Sequence, residues 1–473
     1  MNRTLYSCLA RALAPLLAAR VLMRARFDSS YGTAIGERFG WYRDAMHTGA
    51  FAGGRAMRAR PVWVHAVSLG ETRAAQPLIQ ALLDRQIPVL LTHMTATGRR
   101  EGSKLFAVAI ERGQLRQAWL PYDLPGACSR FFATMNPVCG VLIEREVWPN
   151  LIHEANRRSV PMIMASARLS ARSARRGLHA GRVLREAYAG LDIVLAQSEA
   201  DAQRLRAAGA RRVETCGNLK FDSVPSEHQM ARGRAWRAAW DRPVITVAST
   251  HEGEEAEFAR AVAGRAAELG NALLVVVPRH PERFDAVEKQ LQACGLRVAR
   301  RTAIDPWQPQ PAHTQVLLGD SMGELATYYA ASDVAIVAGS FIAEGGQNLI
   351  EACAAGVPVV VGPHARNFQQ VTDEAIAAGA ALRRPSAGAA IDAAAGLLGD
   401  VSAGAAMAAA GLRYVASHAG VVRRTMMCLE AFLSTHGAGV ADALENAASA
   451  AAAREAALAP DPIGPAGRAM GSG

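Results

Sequence analysis

The sequence predicts an α/β protein made of two doubly wound parallel sheets. Short runs of aliphatic and β-branched residues, the pattern of strands buried on both faces, recur along the chain. Each run ends in a loop of glycine, hydroxyl and acidic residues that leads into a helical stretch, the rhythm of successive βαβ units. That rhythm lapses in the polar stretch 223–242, which carries Trp236 and Trp240 between Pro225 and Pro243, and then resumes.

The densest instance of the pattern is Ser332–Pro363, SDVAIVAGSFIAEGGQNLIEACAAGVPVVVGP. Val334–Val337 and Val357–Val361 read as strands. Asn348–Ala355 reads as a helix entered from Gly345 and Gly346 and left at Gly356. A helix opening at a glycine pair offers backbone N–H groups and a positive dipole end to a phosphate. Asn348 and Glu351 are three apart and share one face, where a carboxylate suits two ribose hydroxyls better than a phosphate. An ordinary βαβ unit whose glycines only turn the chain fits the same residues.

The chain has 473 residues, half of them apolar, enough for two or three domains with full cores. Its seven cysteines include no C-x-x-C, so neither a zinc site nor a disulfide framework is indicated. Net charge +10 points to an anionic partner: nucleic acid, a membrane surface or a phosphorylated substrate. Nucleic acid is the poorest fit, because the charge gathers at the N-terminus and in one later run without interleaved aromatics. Lys104, Lys220 and Lys289 are the only lysines among 52 basic residues, so lysine is an uncommon choice here.

Residues 1–26 alternate apolar runs with arginines at 3, 11, 20, 24 and 26, interrupted by Pro15. The uncharged piece Ala12–Ala19 is short against the ~20 residues that span a bilayer, and no signal-cleavage pattern follows. An interfacial or short re-entrant anchor, with arginines on lipid phosphates, fits best; an ordinary amphipathic helix packed on the protein is the alternative.

A first domain is expected over 27–222, its strands beginning after a glycine-rich loop near 49–54. Val62–Val67 is a strand, Ser68–Glu71 a tight turn, and Thr72–Arg85 a helix. Val89–Thr92, Ala118–Pro121, Val138–Ile143, Val160–Ala165, Ile193–Gln197 and Val213–Gly217 continue the strands. Ligands of such sheets sit beyond the carboxyl ends of the strands, where Glu71, Thr95, Glu144 and Ser166 fall. Arg168–Arg185 holds six arginines and no acid before Glu186, readable as a solvated face or as a cradle for an anion. Residues 223–242 read as a linker. A second domain follows over 243–435, with strands Val244–Ala248, Leu273–Val277 and Gln315–Leu318 before Val334, and Ser249–Glu255 as a helix N-cap with acidic first-turn residues. Two such sheets imply a cleft between domains. The Ala-, Gly- and Pro-rich 436–473 reads as a disordered tail, with at most a helical turn in Ala447–Ala459.

Ten stretches then carry a resemblance: HAVSLGE (65–71), LPYDLPG (120–126), IEREVWPN (143–150), SARLSARS (166–173), GNLKFD (217–222), STHEGEE (249–255), VPRHPERF (277–284), GDSMGEL (319–325), GGQNLIE (345–351) and GPHARNF (362–368). In this order the chain resembles the transferases of 3-deoxy-D-manno-octulosonic acid (Kdo) over roughly residues 25–430. The resemblance implies a GT-B fold, a CMP-Kdo donor, a lipid A precursor as acceptor, and work at the cytoplasmic side of the inner membrane. It implies Glu71 as proton acceptor, with Glu144 and Lys220 stabilising the transition state. For CMP it implies Pro278 and Arg279, then Met322, Gly323 and Glu324, then Asn348, Leu349, Ile350 and Glu351. SARLS stands where NARLS is commoner, and Asn-Leu-Ile-Glu where Asn-Pro-Leu-Glu also occurs; neither alters a carried charge. Mono-, bi- and trifunctional members look alike at these motifs.

The chemistry agrees with the residues. Transfer needs a base for the acceptor hydroxyl and positive charge for a phosphate leaving group. Glu71 suits the base, although a carboxylate there also suits a helix cap. No Asp-x-Asp occurs and Arg145 separates Glu144 from Glu146, so no metal and no other cofactor is expected. Alternate residues of a strand end point apart, so Glu144 and Glu146 need not form an acid pair. His65 and His251 are candidates to line the cleft. A UDP-sugar transferase, or a nucleotide-binding membrane-surface protein without turnover, would share several of these features.

Overall fold

A computed structural model describes residues 1–42, 60–223, 225–305 and 313–436. The glycine-rich loop near 49–54 and the tail beyond 436 lie outside them. The chain divides into two compact units: Met1–Lys220 together with the chain from Gly420 onward, and Phe221–Ala419.

The first unit holds a seven-stranded sheet of β1 (Val62–His65), β2 (Val89–His93), β3 (Leu115–Trp119), β4 (Cys139–Ile143), β5 (Met162–Ala167), β6 (Ile193–Ala196) and β7 (Val213–Thr215). Its order is β3-β2-β1-β4-β5-β6-β7 and every pairing is parallel. Strands β1, β2 and β4 are buried along their whole length because helices cover both faces, which is why they read as unbroken apolar runs. The second unit repeats the design with β8 (Val244–Thr250), β9 (Leu273–Pro278), β10 (Val298–Arg300), β11 (Val316–Leu318), β12 (Val334–Val337), β13 (Val359–Val361) and β14 (Ala381–Arg383). Its order is β10-β11-β9-β8-β12-β13-β14, again all parallel. In each sheet the winding reverses once, between β1 and β4 and between β8 and β12. A crevice opens beyond the strand ends at such a reversal.

Five expectations are corrected. Residues 223–242 are not a bare linker: Glu227–Trp240 is a helix of the second unit. Trp236 and Trp240 are buried and stack at 5.9 Å, and a Cβ on Gly233 would come 2.3 Å from the Thr327 carbonyl oxygen, so this helix lies too close to Leu325–Ala330 to swing free. The second unit ends at Ala419, because the helix Val421–His436 packs Val421, Met426 and Leu429 into the core of the first. Leu69–Glu71 form the first turn of the helix Leu69–Asp84 rather than a turn before it. The helix expected from Asn348 is only Ile350–Ala354, so Gly345 and Gly346 lie in the preceding loop at positive φ and not at its first turn. Pro15 does not break the N-terminal segment, which is one helix, Arg3–Phe27.

That helix is long and apolar enough to cross a membrane by length and composition alone. Its placement on the first unit says more. Ser7 is buried, its hydroxyl donating to Asn150 Oδ1 at 2.8 Å, and Val21 is buried too. At about 100° per residue these two share a face. Leu5, Leu9, Leu13, Leu16, Met23 and Phe27 form the opposite stripe, and all are exposed.

Candidate active site

Glu71 and Glu144 stand on either side of the reversal of the first sheet, Glu144 directly after β4 and Glu71 in the helix that follows β1. Glu71 is the third residue of its helix and reaches back in a capping box: its Oε2 accepts from Val67 N at 2.6 Å and Ser68 N at 3.2 Å. Oε1 has no partner among the described residues. The residue as a whole is 8 % exposed. Burial, with Glu144 and then Glu146 nearby, raises its pKa to about 7 against the two amide bonds that favour the charged form. The cap occupies Oε2 and leaves Oε1 available to a proton.

Glu144 is its electrostatic opposite. It is buried at a positive φ of 63°, a left-handed geometry a non-glycine residue adopts only when its surroundings impose it. Lys220 Nζ donates to Oε1 at 2.7 Å and Arg168 Nε to Oε2 at 2.9 Å. Burial works against ionisation here as well, but Lys220 and Arg168 outweigh it and hold the carboxyl below its ordinary range. Two neighbouring carboxyls with pKa values pushed apart are the arrangement that lets one be a base at neutral pH while the other stays charged. Glu146 belongs to neither role: its Oε2 accepts from Trp148 Nε1 at 3.0 Å, and burial raises its pKa.

A hydrogen-bonded frame around Ser166 supports Lys220. Ser166, also at positive φ (53°), accepts from Leu219 N and Gln197 Nε2, while Asn218 Oδ1 accepts from Lys220 N at 3.1 Å. The SAR and NLK motifs are thus two halves of one support. Sequence reasoning missed Arg168, which had been grouped with a charge run; its place directly after Ala167, at the end of a strand beside Glu144, was the available signal.

In the second unit the nucleotide candidates gather at the carboxyl edge of the sheet. Pro278 ends β9, and Arg279 N donates to Thr250 O at 2.9 Å. Met322 is exposed and Gly323 has φ +83°, in the loop after β11. Glu324 is already engaged: Arg232 Nη2 lies 2.7 Å and Arg301 Nη2 3.3 Å from Oε1, and Ser321 Oγ donates to Oε2 at 2.5 Å. Leu349 and Ile350 are core side chains, so they can meet a ligand only through backbone. Asn348 Nδ2 donates to Glu351 Oε1 at 3.3 Å and its Oδ1 accepts from Ile350 N, which braces the ribose candidate Glu351. Glu254 does not merely decorate its helix: it is fully buried and accepts from Gly339 N at 2.7 Å, Phe341 N at 2.9 Å and His251 N at 3.0 Å, joining the loops after β8 and β12. Among the described residues, no group of three or more His, Cys, Asp or Glu is arranged to hold a metal ion.

Comparison with known proteins bears on these residues. The family Glycos_transf_N, described as 3-Deoxy-D-manno-octulosonic-acid transferase (kdotransferase), matches residues 33–223. Glycos_transf_1, glycosyl transferases group 1, matches residues 309–411. A 3-deoxy-D-manno-octulosonic acid transferase of Bordetella pertussis is 53% identical over 437 residues, 92% of this chain and 100% of that protein. One from Haemophilus influenzae is 32% identical over 377 residues, 78% of this chain and 84% of that protein. Among solved structures, the UDP-GlcNAc 2-epimerase of Neisseria meningitidis aligns with 79% of this chain and 100% of its own at TM-score 0.52 and 13% identity, a likeness of fold alone.

Proposed function

The chain belongs to the Kdo transferase family, and from that premise we propose that it moves Kdo from CMP-Kdo to a hydroxyl of the lipid A precursor, with Glu71 as general base. It is a glycosyltransferase of lipopolysaccharide biosynthesis; the acceptor and the residue roles are our reading. One observation carries that reading. Glu71 has an unengaged Oε1 and a pKa near neutrality beside a Glu144 that stays ionised.

Glu71 takes the proton of the attacking acceptor hydroxyl as the new glycosidic bond forms and CMP departs. Lys220, oriented by Glu144 and the Ser166 frame, supplies an ammonium for negative charge that builds in the transition state. A single phosphate can be neutralised by such groups, so no divalent ion is invoked. CMP is assigned to the second unit, with the backbone at Pro278–Arg279, Met322–Gly323 and Leu349–Ile350 and the side chain of Glu351 around it. Glu324, held by two arginines, acts there as a brace for the Met322 loop.

We assign the domains as a first unit through residue 220 that takes the acceptor and a second, 221–419, that takes the donor. The Arg3–Phe27 helix is docked through Ser7 and Val21, which supports its lying on an anionic membrane surface rather than crossing the bilayer, and we assign that surface to the cytoplasmic side of the inner membrane. The deciding experiment incubates purified protein with CMP-Kdo and lipid acceptor in the presence of EDTA and weighs the product. A mass increment of one or more Kdo units supports the reading and counts the transfers, whereas product from a UDP-sugar alone would replace it.

A further inference from the structure

His251 is the first residue beyond β8, at the reversal of the second sheet, and four contacts fix it. Its backbone N–H donates to Glu254 Oε2 at 3.0 Å, the carboxylate that also holds Gly339 and Phe341 after β12. Its ring Nε2 lies 3.0 Å from Gln347 Nε2. Its ring meets His280 edge-on at 5.4 Å between centroids. A Cβ on Gly339 would come 3.2 Å from its Cδ2, and Gly339 has φ +68°, so the loop after β12 folds against the ring where only glycine is comfortable.

The contact with Gln347 sets the tautomer. An amide –NH₂ only donates, so Nε2 of His251 must accept and the ring proton resides on Nδ1. Nδ1 has no partner among the described residues and is not sealed from solvent. Burial, followed by His280, lowers the pKa and keeps the ring neutral at physiological pH. Arg279 and Arg283 add positive potential nearby, opposed by Glu344. A preorganised N–H thus belongs to the residue directly beyond β8, at the reversal where an open α/β sheet seats the phosphate of a nucleotide.

We propose that His251 donates its Nδ1–H to a phosphate oxygen of the bound nucleotide, a contact that CMP makes and cytidine lacks. The inference rests on the nucleotide assignment above, and calorimetry with CMP and cytidine on the full-length protein separates the two. His251→Leu removes the donor. His251→Asn restores an N–H on the γ-branch, where Nδ1 stood. The Leu variant is expected to bind CMP about tenfold more weakly with cytidine affinity unchanged, and the Asn variant to recover most of the loss. Equal CMP affinity in all three proteins, or a parallel loss for CMP and cytidine, overturns the inference while leaving the nucleotide site standing. Absence of CMP binding by the unaltered protein overturns both. With ¹⁵N-labelled histidine, the Nδ1 proton signal of the unaltered protein should move on adding CMP and stay still with cytidine; no movement with CMP refutes the contact without any variant.

Discussion

Lys220 Nζ and Glu144 Oε1 are 2.7 Å apart, although 76 residues separate them in sequence. The bond ties the last residue of the first unit's long segment to the reversal of its sheet. Glu144 shares itself between Lys220 and Arg168, so either cation alone leaves the carboxylate half-matched in a buried place.

Lys220→Met should therefore lower stability by about 2–3 kcal/mol at pH 7.5, below the usual cost of breaking a buried pair because Arg168 remains. Glu144 has a folded-state pKa depressed below the unfolded one. Its contribution is present above the unfolded pKa and is lost as pH falls through the folded one. Urea unfolding of the variant and the unaltered protein should converge as pH drops below the carboxylate range. A gap that persists unchanged into acid would assign the loss to packing.

Glu71→Gln keeps the reach-back to Val67 and Ser68 but cannot take a proton. kcat should fall by ~10²–10⁴, about 3–5 kcal/mol of barrier, and the limb of kcat/KM that rises through about pH 7 in the unaltered enzyme should vanish. Stability adds a separate check. The folded pKa is raised above the unfolded value, so this group's favourable contribution is full below the unfolded pKa and is lost as pH rises through about 7. Gln escapes that loss, so its Tm relative to the unaltered protein should increase between pH 5 and pH 8. Retained turnover with lower stability would make Glu71 a cap and nothing more.

Glu351→Gln should weaken CMP by about 1–3 kcal/mol, or ~5–150-fold, if charge-assisted bonds to ribose are lost. The 2′-deoxy analogue should lose less in the variant than in the unaltered protein. Identical losses for the analogue in both would remove Glu351 from the ribose.

Leu9, Leu13 and Leu16 lie on the exposed stripe of the N-terminal helix, clear of the buried Ser7 and Val21. Changing all three to serine should release the protein from vesicles containing anionic lipid and raise KM for lipid acceptor while kcat is little altered. Sedimentation with vesicles reads the first effect; undiminished sedimentation would rule out the stripe as the membrane-facing surface.

Much of this was legible in local pattern. Val334–Val337 reads as a strand because four apolar residues at a loop boundary have one stable burial, in a sheet covered on both faces. The edge strands β10 and β14 gave no such signal, being three residues long and only partly buried. Glu227–Trp240 was obscured because its apolar contacts are concentrated in Met230, Gly233, Trp236 and Trp240 amid arginines, and nothing local says that Leu325–Ala330 waits to receive them. In the site, the carboxylates were readable from their positions at strand ends. Their opposite proton affinities were not, since those depend on Lys220 and Arg168 arriving from 76 and 24 residues away.

The return of the helix Val421–His436 to the first unit has a consequence for biosynthesis. The first sheet emerges from the ribosome early, yet part of its covering layer is encoded about 200 residues later. The intervening 221–419 is contiguous, so it can complete its own core while its predecessor still waits with Leu78, Leu82 and Leu83 uncovered near the place that Met426 and Leu429 will fill. A released chain truncated at residue 419 should accordingly be protease-resistant in its later half and a chaperone client in its earlier one. Release of the final helix, rather than completion of either sheet, would then be the event that commits the whole polypeptide.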